Sequence, residues 1–309
     1  MDISVVIPLY NESPSLRDLF SALKAHLESL GKSYEIIFVD DGSTDDSFSV
    51  LEDLCDRYPD IQAVRLRRNS GKTAALLAGF AEAKGEIIVT IDGDLQDSPS
   101  EIPLLMGKLE EGYDLVSGWK FERQDPFLRR IASKIFNQAV SFFSGVPIHD
   151  FNCGLKAFRR HVLPELVLYG EMHRFIPALA GWRGFRIGEI KVKHFPRKYG
   201  SSKFGPERYW KGFLDFLTVV VLLTYIRRPL HLFGGLGMLI GVAGLGINIY
   251  LSIGWIYGRW IGNRPLLILG VLLMLIGIQM VFFGLLAEMM NFLSGRGTGP
   301  PISQILRKK

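Results

Sequence analysis

Ile87-Ile88-Val89-Thr90-Ile91-Asp92-Gly93-Asp94-Leu95-Gln96-Asp97 is the stretch on which the reading of this chain turns. A short β-branched apolar run enters a turn holding three aspartates. The run reads as a buried strand, and the turn as its carboxyl end. Two carboxylates separated by one glycine repel each other, and a divalent cation converts that repulsion into a binding site. In isolation an Asp-x-Asp is as readily a solvated turn; its position after a buried strand is what raises it to a candidate.

Three similar runs lie upstream. Ile3 to Leu9, Glu35 to Val39 and Ala63 to Leu66 are strand-like, and amphipathic segments near 14–30, 45–58, 72–84 and 99–111 alternate with them. Ser13, Thr44 and Ser98 stand at helix starts as capping residues. Strand and helix at this spacing predict a mostly parallel α/β sheet covered on both faces, with ligands at the carboxyl ends of the strands. Phe38-Val39-Asp40-Asp41-Gly42-Ser43-Thr44-Asp45 ends the second strand, where an acidic turn accepts hydrogen bonds from a base or ribose, caps the next helix, or does both. Val5-Val6-Ile7-Pro8-Leu9-Tyr10-Asn11-Glu12 ends the first, and Tyr10 is suited to packing on a nucleoside. Asn69-Ser70-Gly71-Lys72-Thr73 resembles the end of a phosphate loop, but the full pattern needs glycine at 66, where Leu66 stands. A P-loop ATPase is excluded, and Lys72 is either a nucleotide contact or a surface lysine.

The character changes after Gly205. Leu230 to Ile253 contains no Asp, Glu, Lys or Arg, and Leu266 to Phe292 only Glu288. Each is long enough to cross about 30 Å of hydrocarbon. Residues 206–228 mix apolar runs with Lys211, Asp215, Arg227 and Arg228, and read as a helix along the membrane interface or as a core helix of the first domain. The division is therefore a catalytic domain at 1–205, an interface helix at 206–228 and a two-helix anchor at 229–309, with spans near 230–253 and 266–292. The short loop between the spans holds Arg259 and Arg264. Arg227, Arg228, Arg296, Arg307, Lys308 and Lys309 flank them on the other side and favour both termini in the cytoplasm. Gly237-xxx-Gly241 allows close helix approach, by packing within the pair or by self-association into a homo-oligomer.

The chain has 309 residues, net charge +5, 48% hydrophobic residues and two cysteines. The charge suits an anionic membrane surface or a phosphate-bearing substrate, and equally a soluble protein. Cys55 and Cys153 have no metal-ligand spacing, so no zinc site or disulfide framework follows. The first residues carry no basic stretch ahead of the apolar run, so no signal peptide is expected. The segment His194-Phe195-Pro196-Arg197-Lys198-Tyr199-Gly200-Ser201-Ser202-Lys203 is a basic loop fit to surround a phosphate or to meet anionic lipid heads. Arg129 and Arg130 stand in a further segment suited to a lipid phosphate.

Taken in order, Val-Ile-Pro-Leu-Tyr-Asn-Glu, Val-Asp-Asp-Gly-Ser-Thr-Asp, Asp-Gly-Asp-Leu-Gln-Asp and the late Arg-x-x-Gly-x-Ser-Lys resemble glycosyltransferase family 2. The match falls in the branch that makes dolichol-phosphate mannose and bacterial polyprenyl-phosphate sugars, and runs from Ser4 to about Phe204. The resemblance implies a GT-A (Rossmann-like) catalytic domain. It implies inverting transfer of a sugar, from a UDP-sugar by family habit, to a polyprenyl phosphate such as undecaprenyl phosphate at the cytoplasmic face of the inner membrane.

By the same resemblance, Pro8, Tyr10, Glu12, Val39 and Asp41 line the nucleoside pocket. Asp92, Asp94 and Gln96 hold Mg²⁺ or Mn²⁺ with the donor diphosphate, beside Gly93 and Lys72. Lys120 stands where relatives commonly carry Arg, so the charge survives without the planar fork. Arg197 and Lys203, with Ser202, match the phosphate-contacting loop, and Asp150 falls in the acceptor region. Membrane lipids are expected neighbours, and no nucleic acid is expected. A processive polysaccharide synthase would carry Gln-x-x-Arg-Trp, which is absent; Gln62-Ala-Val-Arg65-Leu66 lacks the Trp. A nucleotidyltransferase would not need the late basic loop joined to membrane spans. An inactive nucleotide-sugar-binding scaffold is opposed by the intact acidic motifs.

Overall fold

A computed structural model describes residues 1–121, 127–193, 195–196, 218, 229–258, 260 and 265–293, with side chains at 127–132 and 291–293 outside that description. The chain separates into two compact units, Met1–Val220 and Val221–Lys309.

The first unit alternates β1 (Ile3–Leu9), α1 (Ser13–Ser29), β2 (Tyr34–Asp40), α2 (Ser47–Arg57), β3 (Ile61–Arg65), α3 (Lys72–Glu82) and β4 (Ile87–Thr90). It continues with α4 (Ile102–Glu110), β5 (Leu115–Lys120), α5 (Phe127–Ser144), β6 (Lys156–Arg159), α6 (Ile176–Trp182) and β7 (Ile187–Val192). The seven strands stand in the order β3-β2-β1-β4-β6-β5-β7. All pairings are parallel except those of β6, which runs antiparallel to β4 and β5.

Alternation of side chains along each strand sorts the core into two layers. Ile3, Val5 and Ile7 of β1, with Ile36 and Phe38 of β2, pack in one cluster with Leu16, Leu19 and Leu23 of α1, Leu51 of α2 and Leu105 of α4. Val6 and Val39 point the other way and meet α3, where a Cβ on Gly79 would lie 2.4 Å from Val6 Cγ1 and 3.0 Å from Val39 Cγ2. Phe80 of α3 meets Phe158 of β6 edge-on at 5.6 Å on that layer.

The turn chemistry departs from expectation at two helix starts. Ser13 is already inside α1, whose N-cap is Glu12. Its backbone N–H donates to Asp45 Oδ2 at 3.2 Å. Thr44 donates its N–H to Asn11 Oδ1 at 2.8 Å, and the N-cap of α2 is Asp46. Both residues were spent tying the β1 and β2 exits together, because those loops must hold each other as well as start helices. Ser98 does cap, accepting from Ser100 N–H at 3.3 Å on a 3-10 turn.

The second unit is a pair of helices, α7 (Pro229–Ile256) and α8 (Pro265–Leu293). At 1.5 Å per residue, their 28 and 29 residues are about 42 Å and 44 Å long, more than a bilayer core requires. Leu239, Ile268 and Phe282 are each more than 60% exposed, which suits lipid contact rather than a globular core. The helices meet through glycine. A Cβ at Gly237 would lie 2.6 Å from the Gly277 carbonyl, and one at Gly277 would lie 2.7 Å from Gly241 Cα. Packing within the pair thus accounts for Gly237-xxx-Gly241. Glu288 accepts the N–H of Leu230 at 3.5 Å, serving one of the unpaired donors at the start of α7. The proposed interface helix at 206–228 lies outside the described residues apart from Thr218.

Gly277→Leu should destabilise this pair by about 1–3 kcal/mol through overpacking. Gly246→Leu should change little, since nothing lies within 4 Å of its Cβ position. Unfolding midpoints in mixed micelles would compare them, and equal midpoints would disprove the close approach.

Candidate active site

β6 gives the site its shape. Lys156 at its start stands opposite Thr90 at the end of β4. Because β6 is reversed, the loop ahead of it, with Asp150, Asn152 and Gly154, reaches the edge where β1, β2 and β4 end. Lys120 and Val192, paired at the ends of β5 and β7, reach the same edge.

At the end of β2, Asp41 is buried and both its oxygens are engaged. Oδ1 accepts from Ser70 N–H at 2.7 Å and Oδ2 from Gly71 N–H at 2.8 Å. Asp40 accepts Ser43 N–H at 2.9 Å and pairs with Arg65 at 3.3 Å. Gly42 has φ +72°, and a Cβ there would lie 2.6 Å from the Arg68 carbonyl carbon, so two backbone turns touch. Asp41 therefore sets the approach to α3 and places Lys72. Val39 is fully buried with its side chain against α3, so it reaches a nucleoside only through its backbone. Tyr10 and Glu12 are partly exposed on the loop after β1.

The carboxylate turn is held from several sides. The Gly93 carbonyl accepts the Ser15 hydroxyl at 2.7 Å. Leu95 adopts φ +60°, a conformation costly for a branched side chain, which bends the turn back on itself. Gln96 N–H donates to Asp94 Oδ1 at 3.2 Å, and Asp94 is 9% exposed. Asp92 pairs with Lys72. Burial works against its charge, but Lys72 and Lys120 outweigh that and hold its carboxyl down at about 2. Lys120 itself pairs with Asp97 at 2.7 Å. Burial opposes its charge too, and Asp97 with Asp92 overrides it, so Lys120 stays above its ordinary value.

Among the described residues no group of three or more His, Cys, Asp or Glu could cage a metal. Asp92 and Asp94 nevertheless fit a hard cation of the kind held by one or two carboxylates and completed by phosphate oxygens.

Pro8, Lys72, Thr90 and Asp92 line a narrow cleft with Asn152, Gly154, Lys156 and His173. The last four were not singled out from the sequence. Lys156 sits inside a strand and His173 on a 3-10 turn, Met172–Phe175, and neither has a spacing that marks it. His173 Nδ1 and Thr73 Oγ1 are 2.8 Å apart. Burial, then Lys72, Arg174 and Lys156, depress its proton affinity far below the ordinary 6.5, so the ring is neutral at pH 7. Asp150 is 1% exposed and its Oδ1 accepts Asn152 N–H at 3.0 Å.

Phe195 N–H donates to the Gln96 carbonyl at 2.9 Å, carrying the chain from β7 across the carboxylate turn. Arg197, Ser202 and Lys203, and the side chains of Arg129 and Arg130, lie outside the described residues.

A folded pKa below the unfolded one means that the unfolded chain binds more protons between the two, so stability rises with pH there. For His173 this contribution is complete above about 6.5 and is lost as pH falls below it. Thermal melts at pH ~7.5 and ~5.5 should differ by about 2–4 °C from this residue, a difference that His173→Gln removes. An undiminished difference in the variant would assign the acid sensitivity elsewhere.

A parallel-rich sheet with one reversed strand, and paired carboxylates at its carboxyl edge, is an arrangement of the GT-A type. The model of glycosyl transferase family 2 matches residues 4–167, and the chain belongs to that family. It is 41% identical over 295 residues to a dodecaprenyl-phosphate galacturonate synthase of Rhizobium johnstonii, covering 94% of this chain and 87% of that protein. It is 39% identical over 289 residues to an undecaprenyl-phosphate 4-deoxy-4-formamido-L-arabinose transferase of an Enterobacter species, covering 93% and 87%. Among solved structures, Mycobacterium tuberculosis glucosyl-3-phosphoglycerate synthase with Mn²⁺ and uridine-diphosphate-glucose shares the fold. The TM-score is 0.57 at 20% identity, over 72% of this chain and 78% of that one.

Proposed function

We propose that this protein transfers a sugar from a nucleotide sugar, with uridine as the base, to a polyprenyl phosphate, giving a polyprenyl-phosphate monosaccharide on the cytoplasmic side of the inner membrane. The observation that carries this reading is the Phe195–Gln96 hydrogen bond. It starts the basic loop directly over the carboxylate turn, in a chain that goes on to a hairpin of membrane length. Two relatives named for polyprenyl-phosphate products, each aligned over more than nine-tenths of this chain, support it.

In this reading Asp92 and Asp94, with Gln96 beside them, would hold Mg²⁺ or Mn²⁺, which when bound would supply positive charge to offset that of the departing diphosphate. Pro8, Tyr10, Glu12, Asp41 and the Val39 backbone receive the nucleoside. Lys72 and Lys120 add positive charge beside the diphosphate, and Gly93 allows its approach. The acceptor phosphate, with a second pKa of about 6, is ionised at neutral pH. No strong base is required, and Asp150 orients the loop ahead of β6 rather than taking a proton. Arg129, Arg130, Arg197, Ser202 and Lys203 draw the lipid phosphate to the anomeric carbon, which is inverted as the acceptor oxygen attacks.

Purified protein in detergent, given undecaprenyl phosphate, Mg²⁺ or Mn²⁺ and radiolabelled UDP- and GDP-sugars, should form a labelled lipid from a UDP donor. No labelled lipid from any donor, with nucleotide binding intact, would reject the acceptor; label from a GDP-sugar alone would reject the base.

A further inference from the structure

Lys156 has no role in the reading above, and its environment is unusual. It is 3% exposed, lines the cleft beneath Asp92, and among the described residues its side-chain ammonium has one hydrogen-bond acceptor, the Cys153 carbonyl. An ammonium has three donors, and burying one without an anion is costly. Asp150 and Asp92 are near enough to act on it through charge, but neither is its hydrogen-bond acceptor among the described residues. Asp92 is taken by Lys72, and Asp97 by Lys120. Cys153 is a buried thiol pushed up to about 12 by its burial, so it is uncharged. Asp150 Oδ1 accepts the Asn152 N–H.

The rest of the cleft adds uncharged groups to Lys72 and Asp92. Asn152 Oδ1 is buried with no hydrogen-bond partner among the described residues, an acceptor suited to a hydroxyl. His173 is neutral, and Leu76 and Ile176 are apolar.

We infer that Lys156 is a specificity-determining residue that receives the carboxylate of a uronic-acid donor, with Asn152 on a ring hydroxyl. The inference rests on the nucleotide-sugar reading of the cleft. A neutral sugar would leave Lys156 with its carbonyl alone, and an amino sugar would bring a second positive charge to it. A donor phosphate is the other anion at hand, since Lys156 lines the same cleft as Asp92, and the titration separates the two.

Titration calorimetry on the full chain in detergent with Mn²⁺ separates these sources. The ligands are UDP, UDP-glucuronate, UDP-galacturonate, UDP-glucose and UDP-galactose. The wild type should bind one UDP-uronate at least about tenfold more tightly than its matched UDP-hexose, as expected of a charge-assisted contact. Lys156→Met should bring the two within about twofold, with UDP affinity unchanged, and Lys156→Arg should restore part of the preference. Equal affinities in the wild type would overturn the proposal without need of a variant. Weakening of UDP and every UDP-sugar alike in Lys156→Met would also overturn it and assign Lys156 to a phosphate. Failure of the wild type to bind UDP at all would refute the underlying donor reading, and this inference with it.

Discussion

Asp94→Asn should lower sugar transfer by about 10³-fold and leave the fold intact. The expectation follows from what asparagine preserves. Asp94 is almost buried on a turn fixed by the Ser15–Gly93 bond and bent at Leu95, and its Oδ1 accepts the Gln96 N–H. An amide has the same shape and keeps that acceptor, so the melting temperature should stay within about 2 °C. What disappears is one negative charge at the place proposed for the cation. Removing a group that stabilises transition-state charge typically costs about 10²–10³ in rate, and loss of the ion adds to it. Metal should also cease to strengthen UDP binding, which calorimetry with and without Mn²⁺ reads independently of turnover. Asp92→Asn is a less clean experiment, since it also strips Lys72 of its partner. A near-wild-type rate in Asp94→Asn would remove Asp94 from the metal site.

Most of the fold is legible in the sequence because the elements that matter are strongly periodic. The first four strands are short runs dominated by apolar residues, and each falls within two residues of its observed bounds. The two spans are legible for a simpler reason: an uncharged run of that length has few other uses. The reversal of β6 is a different matter. Lys156-Ala157-Phe158-Arg159 is a four-residue strand, and nothing in so short a run records its direction. Direction is set by pairing with β4 and β5, a tertiary fact. The helix starts failed at Ser13 and Thr44 because their backbone N–H groups bond the side chains of Asp45 and Asn11 on the facing loop, a tertiary contact that the local sequence does not record.

The same division runs through the site. Asp41, Asp92 and Asp94 announce themselves as acids at strand ends, and Lys72 stands out through its likeness to a phosphate loop. Asn152, Lys156 and His173 are brought to them by the reversed strand and a 3-10 turn, so they come together only once the topology is known. Even for the legible residues, the structure changes the meaning. Asp41 is a clamp on the loop ahead of α3, and Lys72 is the partner of Asp92. Asp92 and Lys72 are thus one electrostatic unit, and under the proposed function a diphosphate is the anion that Lys72 would meet once a cation drew Asp92 away.

Gly154 tests how tightly that unit is built. A Cβ on Gly154 would lie 2.5 Å from Asp92 Cγ and 2.5 Å and 2.6 Å from its two oxygens. Real Cβ atoms do not approach so closely, so alanine must push the carboxylate aside. The backbone has little freedom to yield instead, because the Gly154 carbonyl accepts the Thr90 hydroxyl at 2.8 Å and the adjoining strand is locked to β4. Asp92 is the softer partner and moves, breaking its geometry with Lys72 and with the cation proposed to sit beside it. Displacing a positioning group by about 1 Å can cost about 10² in rate, so Gly154→Ala should lose activity on that scale. Overpacking should cost about 1–3 kcal/mol of stability, leaving a folded protein to assay. Because the carboxylate is displaced and not removed, raising Mn²⁺ should recover part of the activity in Gly154→Ala and none in Asp94→Asn. If Gly154→Ala turned over at the wild-type rate, Asp92 would be a charge partner for Lys72 alone, and the metal site would rest on Asp94.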